Sequence, residues 1–221
     1  MRTVLPPAGR SKGIRQPQSA PRSVDAAIRA ELGASAAGKV FSPVDFLHLG
    51  SRAAVDKALS RLAAAGTVRR IARGLYDMPR THAILGPLLP SAGDIAKAIA
   101  GKGKLRLQPS GAYAANLLGL TEQVPMKLVF LTDGMSRTVQ IGNQSILLKH
   151  TTPRNMATAG RISGLVIQAL RHFKQEHIDE QMVKTLRARL SADDKAVLLA
   201  DIPLAPVWIA SVMRQIAQDK D

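Results

Sequence analysis

The chain has 221 residues and carries 31 Lys+Arg against 16 Asp+Glu, a formal net charge of +15, with 46% apolar residues, 3% aromatic residues and no cysteine. An apolar share of this size can fill one large core or two small ones. No run of eighteen apolar residues predicts a transmembrane helix, and the lack of cysteine excludes disulfides and thiolate metal sites.

The positive excess favours polyanionic partners, nucleic acid before an anionic membrane. It is denser at the start: residues 1–80 hold 14 Lys+Arg against 5 Asp+Glu. With four Phe, two Tyr and one Trp, the chain is poor in the stacking platforms that grip single strands. Duplex DNA is the expected partner, with no membrane association.

Residues 1–22 contain Arg2, Arg10, Lys12, Arg15 and Arg22, four prolines and no acidic residue. This composition cannot bury a core and predicts a disordered basic arm, able to follow a DNA backbone or to remain a loose tail. The segment has no apolar stretch of the secretory kind, so a cytoplasmic location is expected. From Ser23 a first helix is predicted, with Val24, Ile28 and Leu32 on one face and Asp25 in the first turn. Gly33 to Lys39 has the spacing of a phosphate loop, but Val40 stands where that loop needs Ser or Thr. The segment also follows a helix rather than a strand, so nucleotide hydrolysis is rejected. Lys39-Val40-Phe41 predicts a short strand.

Ser42 and Pro43 predict the start of a short helix that runs through Phe46 and Leu47 to Gly50. Ser51 caps a longer one, in which Val55, Leu59 and Leu62 form a stripe widened by Ala58, and Gly66 ends it. Two helices joined by a short turn containing Gly are the helix-turn-helix arrangement. Thr67 to Ile71 predicts a strand, Ala72-Arg73-Gly74 a turn, and Leu75-Tyr76 a returning strand. A basic hairpin directly after a recognition helix is the wing of a winged helix.

After Asp77 the pattern changes. Gly86, Pro87 and Pro90 predict a linker, and Ser91 caps a helix through Ile99. A second helix is predicted from Pro109 to Leu118. Lys127 to Leu131, Arg137 to Ile141 and Ser145 to Lys149 read as strands, separated by Asp133-Gly134 and Gly142-Asn143, which suits an antiparallel meander. Helices are expected at residues 160–173, 178–190, 192–199 and 206–218. The expected fold class is α+β: an N-terminal winged helix-turn-helix over 23–80, then over 91–221 a mixed α/β domain with a small antiparallel sheet and a helical C-terminal region.

The five histidines give no zinc pattern, since His172 and His177 are five apart, and no nucleophile elbow is present. No catalytic constellation, cofactor or metal is expected.

The stretch GTVRRIARGLY at Gly66 to Tyr76, after a short helix-turn-helix and before a mixed α/β region, resembles the AbiEi-type antitoxins of type IV toxin–antitoxin systems, the DUF6088 group in particular. The resemblance runs from Val40 to Asp77, and the pattern LQPSGAYAANLLGLTEQVP at Leu107 to Pro125 with the strand at Lys127 to Leu131 extends it. It implies a transcriptional autorepressor that binds inverted repeats in its own promoter, encoded beside a nucleotidyltransferase-type toxin. The second domain would carry the antitoxin activity, often without a stable complex with the toxin. The basic arm is a departure from the family pattern.

On this reading Ser51, Arg52, Ala53, Asp56 and Lys57 face base edges, with Arg52 placed for a bidentate guanine contact. Ser60 and Arg61 lie nearer the backbone, and Arg69, Arg70 and Arg73 on the wing grip phosphates or reach a minor groove. A helix this short reads few base pairs, so two copies on an inverted repeat are expected. The rival readings are an RNA-binding winged-helix protein and a winged-helix regulator whose second domain binds a ligand or dimerises.

Overall fold

A computed structural model describes residues 23–218, apart from 102 and 104. The expected arm, residues 1–22, lies outside the described residues. Helix α1, Val24–Gly33, starts where Ser23 accepts a hydrogen bond from the Ala26 amide at 3.2 Å, and it buries Ile28 and Leu32. The phosphate-loop decoy then leads from this helix into strand β1, Val40–Phe41, and opens no helix.

The short helix expected from Ser42 to Gly50 is instead a single 3-10 segment, Pro43–Phe46. Its amides bond three residues back, Asp45 to Ser42 and Leu49 to Phe46, a geometry that rarely extends beyond four residues. The Asp45 carboxylate turns back to accept the Ser42 amide at 2.8 Å and closes the segment locally. Gly50 packs closely against α1: a Cβ there would lie 3.0 Å from a Val24 methyl, which would have to shift to admit it.

Helix α2, Arg52–Ala64, follows the expected cap, with Ser51 accepting from the Ala54 amide at 3.3 Å. Val55, Ala58, Leu59 and Leu62 are its buried stripe, each large member contributing about 1.5–3 kcal/mol. Gly66 at φ +71° ends it, a conformation that glycine adopts without strain. Strands β2, Arg69–Ala72, and β3, Leu75–Asp77, form the expected hairpin, and β1 joins the other side of β3 to make the order β1-β3-β2. Phe41 sits at the centre of this cluster, edge-on to Phe46 at 5.4 Å and stacked on Tyr76 at 6.2 Å.

The expected linker contains a further hairpin, β4 (Arg80–His82) and β5 (Gly86–Leu88). Its strands have no apolar alternation to mark them, because β4 is wholly exposed. The His82 ring closes the tip by accepting from the Ile84 and Leu85 amides.

Helix α3, Ala92–Ala100, is capped by Ser91. Strand β6, Leu107–Ser110, replaces the first turn of the helix expected from Pro109, and helix α4, Gly111–Leu117, begins only after it. Proline fits there because β6 is an edge strand. Strands β7 (Lys127–Thr132), β8 (Arg137–Ile141) and β9 (Gln144–His150) follow. They form no meander: the sheet order is β6-β7-β9-β8, with β7 and β9 parallel and the other pairs antiparallel. The nearly continuous apolar run of β7 suits this interior place. Asp133-Gly134 makes no hairpin turn because β7 and β8 are not neighbours in the sheet; the Asp133 carboxylate instead accepts from Arg106, at 3.0 Å from the amide and 2.9 Å from Nε. Gly142-Asn143 does form the two-residue hairpin between β8 and β9.

Helices α5 (Ile162–Phe173), α6 (Glu180–Arg189), α7 (Ala192–Ala200) and α8 (Val207–Ala217) complete the chain. With α4 they enclose a second core around Leu170, Leu186, Leu198 and Met213. A third cluster joins the two ends of the fold: Leu75, with Val40 and Ile71, packs against Ile95 and Ile99 of α3 and Phe130, Ile146 and Leu148 of the mixed sheet. The described chain is thus mixed α+β with eight α-helices. No helix among the described residues is long and apolar enough to cross a membrane.

Candidate nucleic-acid interface

The α2 residues expected to face bases divide by partner. Ser51 is exposed, but its hydroxyl oxygen is engaged as the cap. Arg52 is exposed and pairs through Nε with the Asp56 carboxylate, one turn on, at 2.9 Å. Such an exposed pair is worth under about 1 kcal/mol, so a stronger acceptor can displace it. Ala53, Lys57 and Ser60 are exposed along the same helix. Arg61 reaches Asp25 of α1 at 2.7 Å and so ties the two helices together while 58% exposed.

The three arginines of the β2–β3 hairpin differ more sharply. Arg70 and Arg73 are exposed, and Arg73 sits on the turn before Gly74, whose φ is +73°. Arg69 points inward. Its Nε donates to one oxygen of Asp77 at 3.0 Å, and Nη2 donates to the other oxygen at 2.5 Å and to the Leu88 carbonyl at 2.7 Å. Asp77 is fully buried, so this pair joins β2, β3 and β5 as part of the fold. The hydrogen bond to Asp77 also raises the Arg69 pKa above its ordinary value, against the opposing effect of burial.

Arg52 and Arg73, twenty-one positions apart in the chain, line one cleft of about 380 Å³. The end of α3, Ala98 to Gly101, and Arg137 and Val139 of β8 also line it. No Asp or Glu lines it. The start of α2 adds the partial positive charge of a helix N-terminus, so the cleft suits an anionic group. Nothing local in the sequence could have marked Arg137 as a neighbour of Arg52, since only the packing of α3 and β8 against the hairpin brings it there. Among the described residues, no three His, Asp or Glu side chains gather as metal ligands.

A family model described as "Family of unknown function (DUF6088)" matches residues 27–198, well over half of the chain. The chain belongs to that family. No curated relative matches it. The DUF6088 match begins inside α1 and ends within α7, so it spans both the cluster around Phe41 and the mixed sheet.

Proposed function

We propose that this DUF6088 member is a sequence-specific duplex-DNA-binding autorepressor whose residues 23–80 act as a winged helix-turn-helix. In this reading α2 is the recognition helix and the β2–β3 hairpin is the wing. The observation that carries it is the shared cleft: Arg52 at the start of α2 and Arg73 on the hairpin turn face one anion-accepting space without a carboxylate in its lining. Arg52, Lys57 and the exposed parts of Ser51, Ala53 and Asp56 then address base edges. Ser60, Arg61, Arg70 and Arg73 address the backbone. In this reading Arg69 leaves the DNA-facing set, because its Nε and Nη2 donors are engaged by Asp77 and Leu88.

The antitoxin part of the proposal, like the cytoplasmic location, rests on sequence. The resemblance of Gly66 to Tyr76 and of Leu107 to Pro125 to AbiEi-type antitoxins supports residues 91–221 as the part that counteracts a nucleotidyltransferase-type toxin. Two tests separate the halves. A reporter under the DNA upstream of the gene should be repressed by the intact protein and released by the Arg52→Ala, Arg73→Ala double variant. Co-expression with the neighbouring gene should rescue growth if that gene encodes such a toxin. A reporter indifferent to the protein sinks the autorepressor reading, and growth arrest unrelieved by co-expression sinks the antitoxin reading.

A further inference from the structure

We infer that Arg137, from the mixed sheet, is a phosphate contact for the same DNA, so that the nucleic-acid surface spans both ends of the fold. The inference rests on the DNA-binding reading of Arg52 and Arg73 and extends it to a residue outside the winged-helix segment. Arg137 begins β8 and is exposed. Its Nη1 donates to the carbonyl of Ile99, in the last turn of α3, at 3.1 Å, which holds the guanidinium in the lining of the cleft that Arg52 and Arg73 also line. A guanidinium has five N–H donors, and this bond uses one.

The steric argument is independent of the charge argument. Arg52, Ser42 and Arg73 share the lining of this cleft with the end of α3 and with Arg137 and Val139 of β8. A duplex laid along the start of α2 therefore passes against the Arg137 wall. The phosphates that flank the groove entered by α2 are the groups that meet it. Arginine suits this role through bidentate pairing with phosphate oxygens, and such a contact adds affinity and register without reading sequence.

The test uses the full chain, with the duplex upstream of its gene and a scrambled duplex of equal length, followed by anisotropy over a salt series. Arg137→Gln keeps a donor for Ile99 and removes the charge. Arg137→Lys keeps the charge. Ala98→Glu places a carboxylate in the cleft from α3 and serves as an independent probe if Arg137→Gln fails to fold. One lost phosphate contact lowers the slope of log K against log salt by about 0.9, or about eightfold in affinity over the decade from ~1 M to ~0.1 M salt.

At ~0.1 M salt Arg137→Gln should therefore bind both duplexes about eightfold more weakly, the gap closing toward ~1 M with that shallower slope. Arg137→Lys should keep the wild-type slope, and Ala98→Glu should weaken both duplexes alike. Unchanged affinity and slope in folded Arg137→Gln, or in Ala98→Glu, overturns the inference while a wild-type preference for the upstream duplex keeps the autorepressor reading. Equal wild-type affinity for both duplexes, with the slope still reduced in Arg137→Gln, overturns the autorepressor reading and keeps the phosphate contact. A wild type that binds neither duplex overturns both.

Discussion

Replacing Arg69 with methionine should cost the protein stability and leave the proposed DNA contacts intact. The substitution strands the Asp77 carboxylate, which is fully buried, and removes the donor to the Leu88 carbonyl. Breaking a buried ion pair from one side costs about 3–5 kcal/mol. The Arg69 side chain is 27% exposed, so solvent screening moves the expectation to the lower end, about 3 kcal/mol. For a chain of this size about 2–4 °C of melting temperature is lost per kcal/mol, which gives a fall of about 6–12 °C. The double variant Arg69→Met, Asp77→Leu should recover most of that fall, because an apolar pair of similar volume often replaces a buried ion pair without loss. Recovery should be incomplete, since Leu88 stays without its donor. Thermal melts of the three proteins, with DNA affinity measured well below the lowest transition, check this. An Arg69→Met protein that melts with the wild type yet loses DNA affinity would return Arg69 to the nucleic-acid surface and refute the reasoning.

Arg52→Ala should relax the preference at one base position by about 1–3 kcal/mol, and Arg73→Ala should weaken every duplex alike with a shallower salt slope. Binding to a panel of single-base operator variants separates the two roles, and uniform loss in both proteins would show them wrongly assigned. Phe41→Ala should destabilise the fold by about 3–5 kcal/mol, because Phe41 is buried between Phe46 and Tyr76; a denaturant midpoint close to wild type would contradict the packing. The Arg106 hydrogen bond holds the Asp133 carboxyl below its ordinary value, more strongly than burial raises it. Because the folded pKa is the lower one, the stabilisation is complete above the ordinary carboxylate pKa of about 3.9 and is lost as pH falls through the folded value. Both side chains are partly exposed, so the effect is small. An NMR titration should place Asp133 below that ordinary value in the wild type and move it upward in Arg106→Ala, which keeps only the backbone amide contact, and no change between the two would remove the Arg106 side chain as the cause.

The parts of the fold legible in sequence are those whose signals are local. Ser23, Ser51 and Ser91 each cap the helix they announce, and the Val55–Leu62 stripe is buried as its spacing requires. What stayed hidden depends on pairing between distant segments. The β4–β5 hairpin has no apolar alternation, and β6 carries a proline that is acceptable only at a sheet edge. The parallel pairing of β7 with β9 cannot be inferred from three consecutive strands.

The arginines of the hairpin show the limit most clearly. With Ala72 opposite Leu75, a regular ladder would set Arg70 opposite Asp77. An irregularity between Arg70 and Ala72 shifts the register by one, so Arg69 faces Asp77 and Arg70 does not. A bulge of one residue therefore decides which arginine supports the fold and which faces solvent. Charge and turn signals announced three arginines on a wing without distinguishing them.

The central claim, that the protein binds duplex DNA sequence-specifically, is tested most directly by one titration. The full-length protein is titrated with the duplex upstream of its gene and with a scrambled duplex, across a salt series. The account expects the upstream duplex to be preferred by a factor of about 10³ or more, with the preference kept as salt weakens both. Equal affinity for both duplexes with a steep salt slope would contradict it, leaving a basic protein that binds polyanions through charge alone.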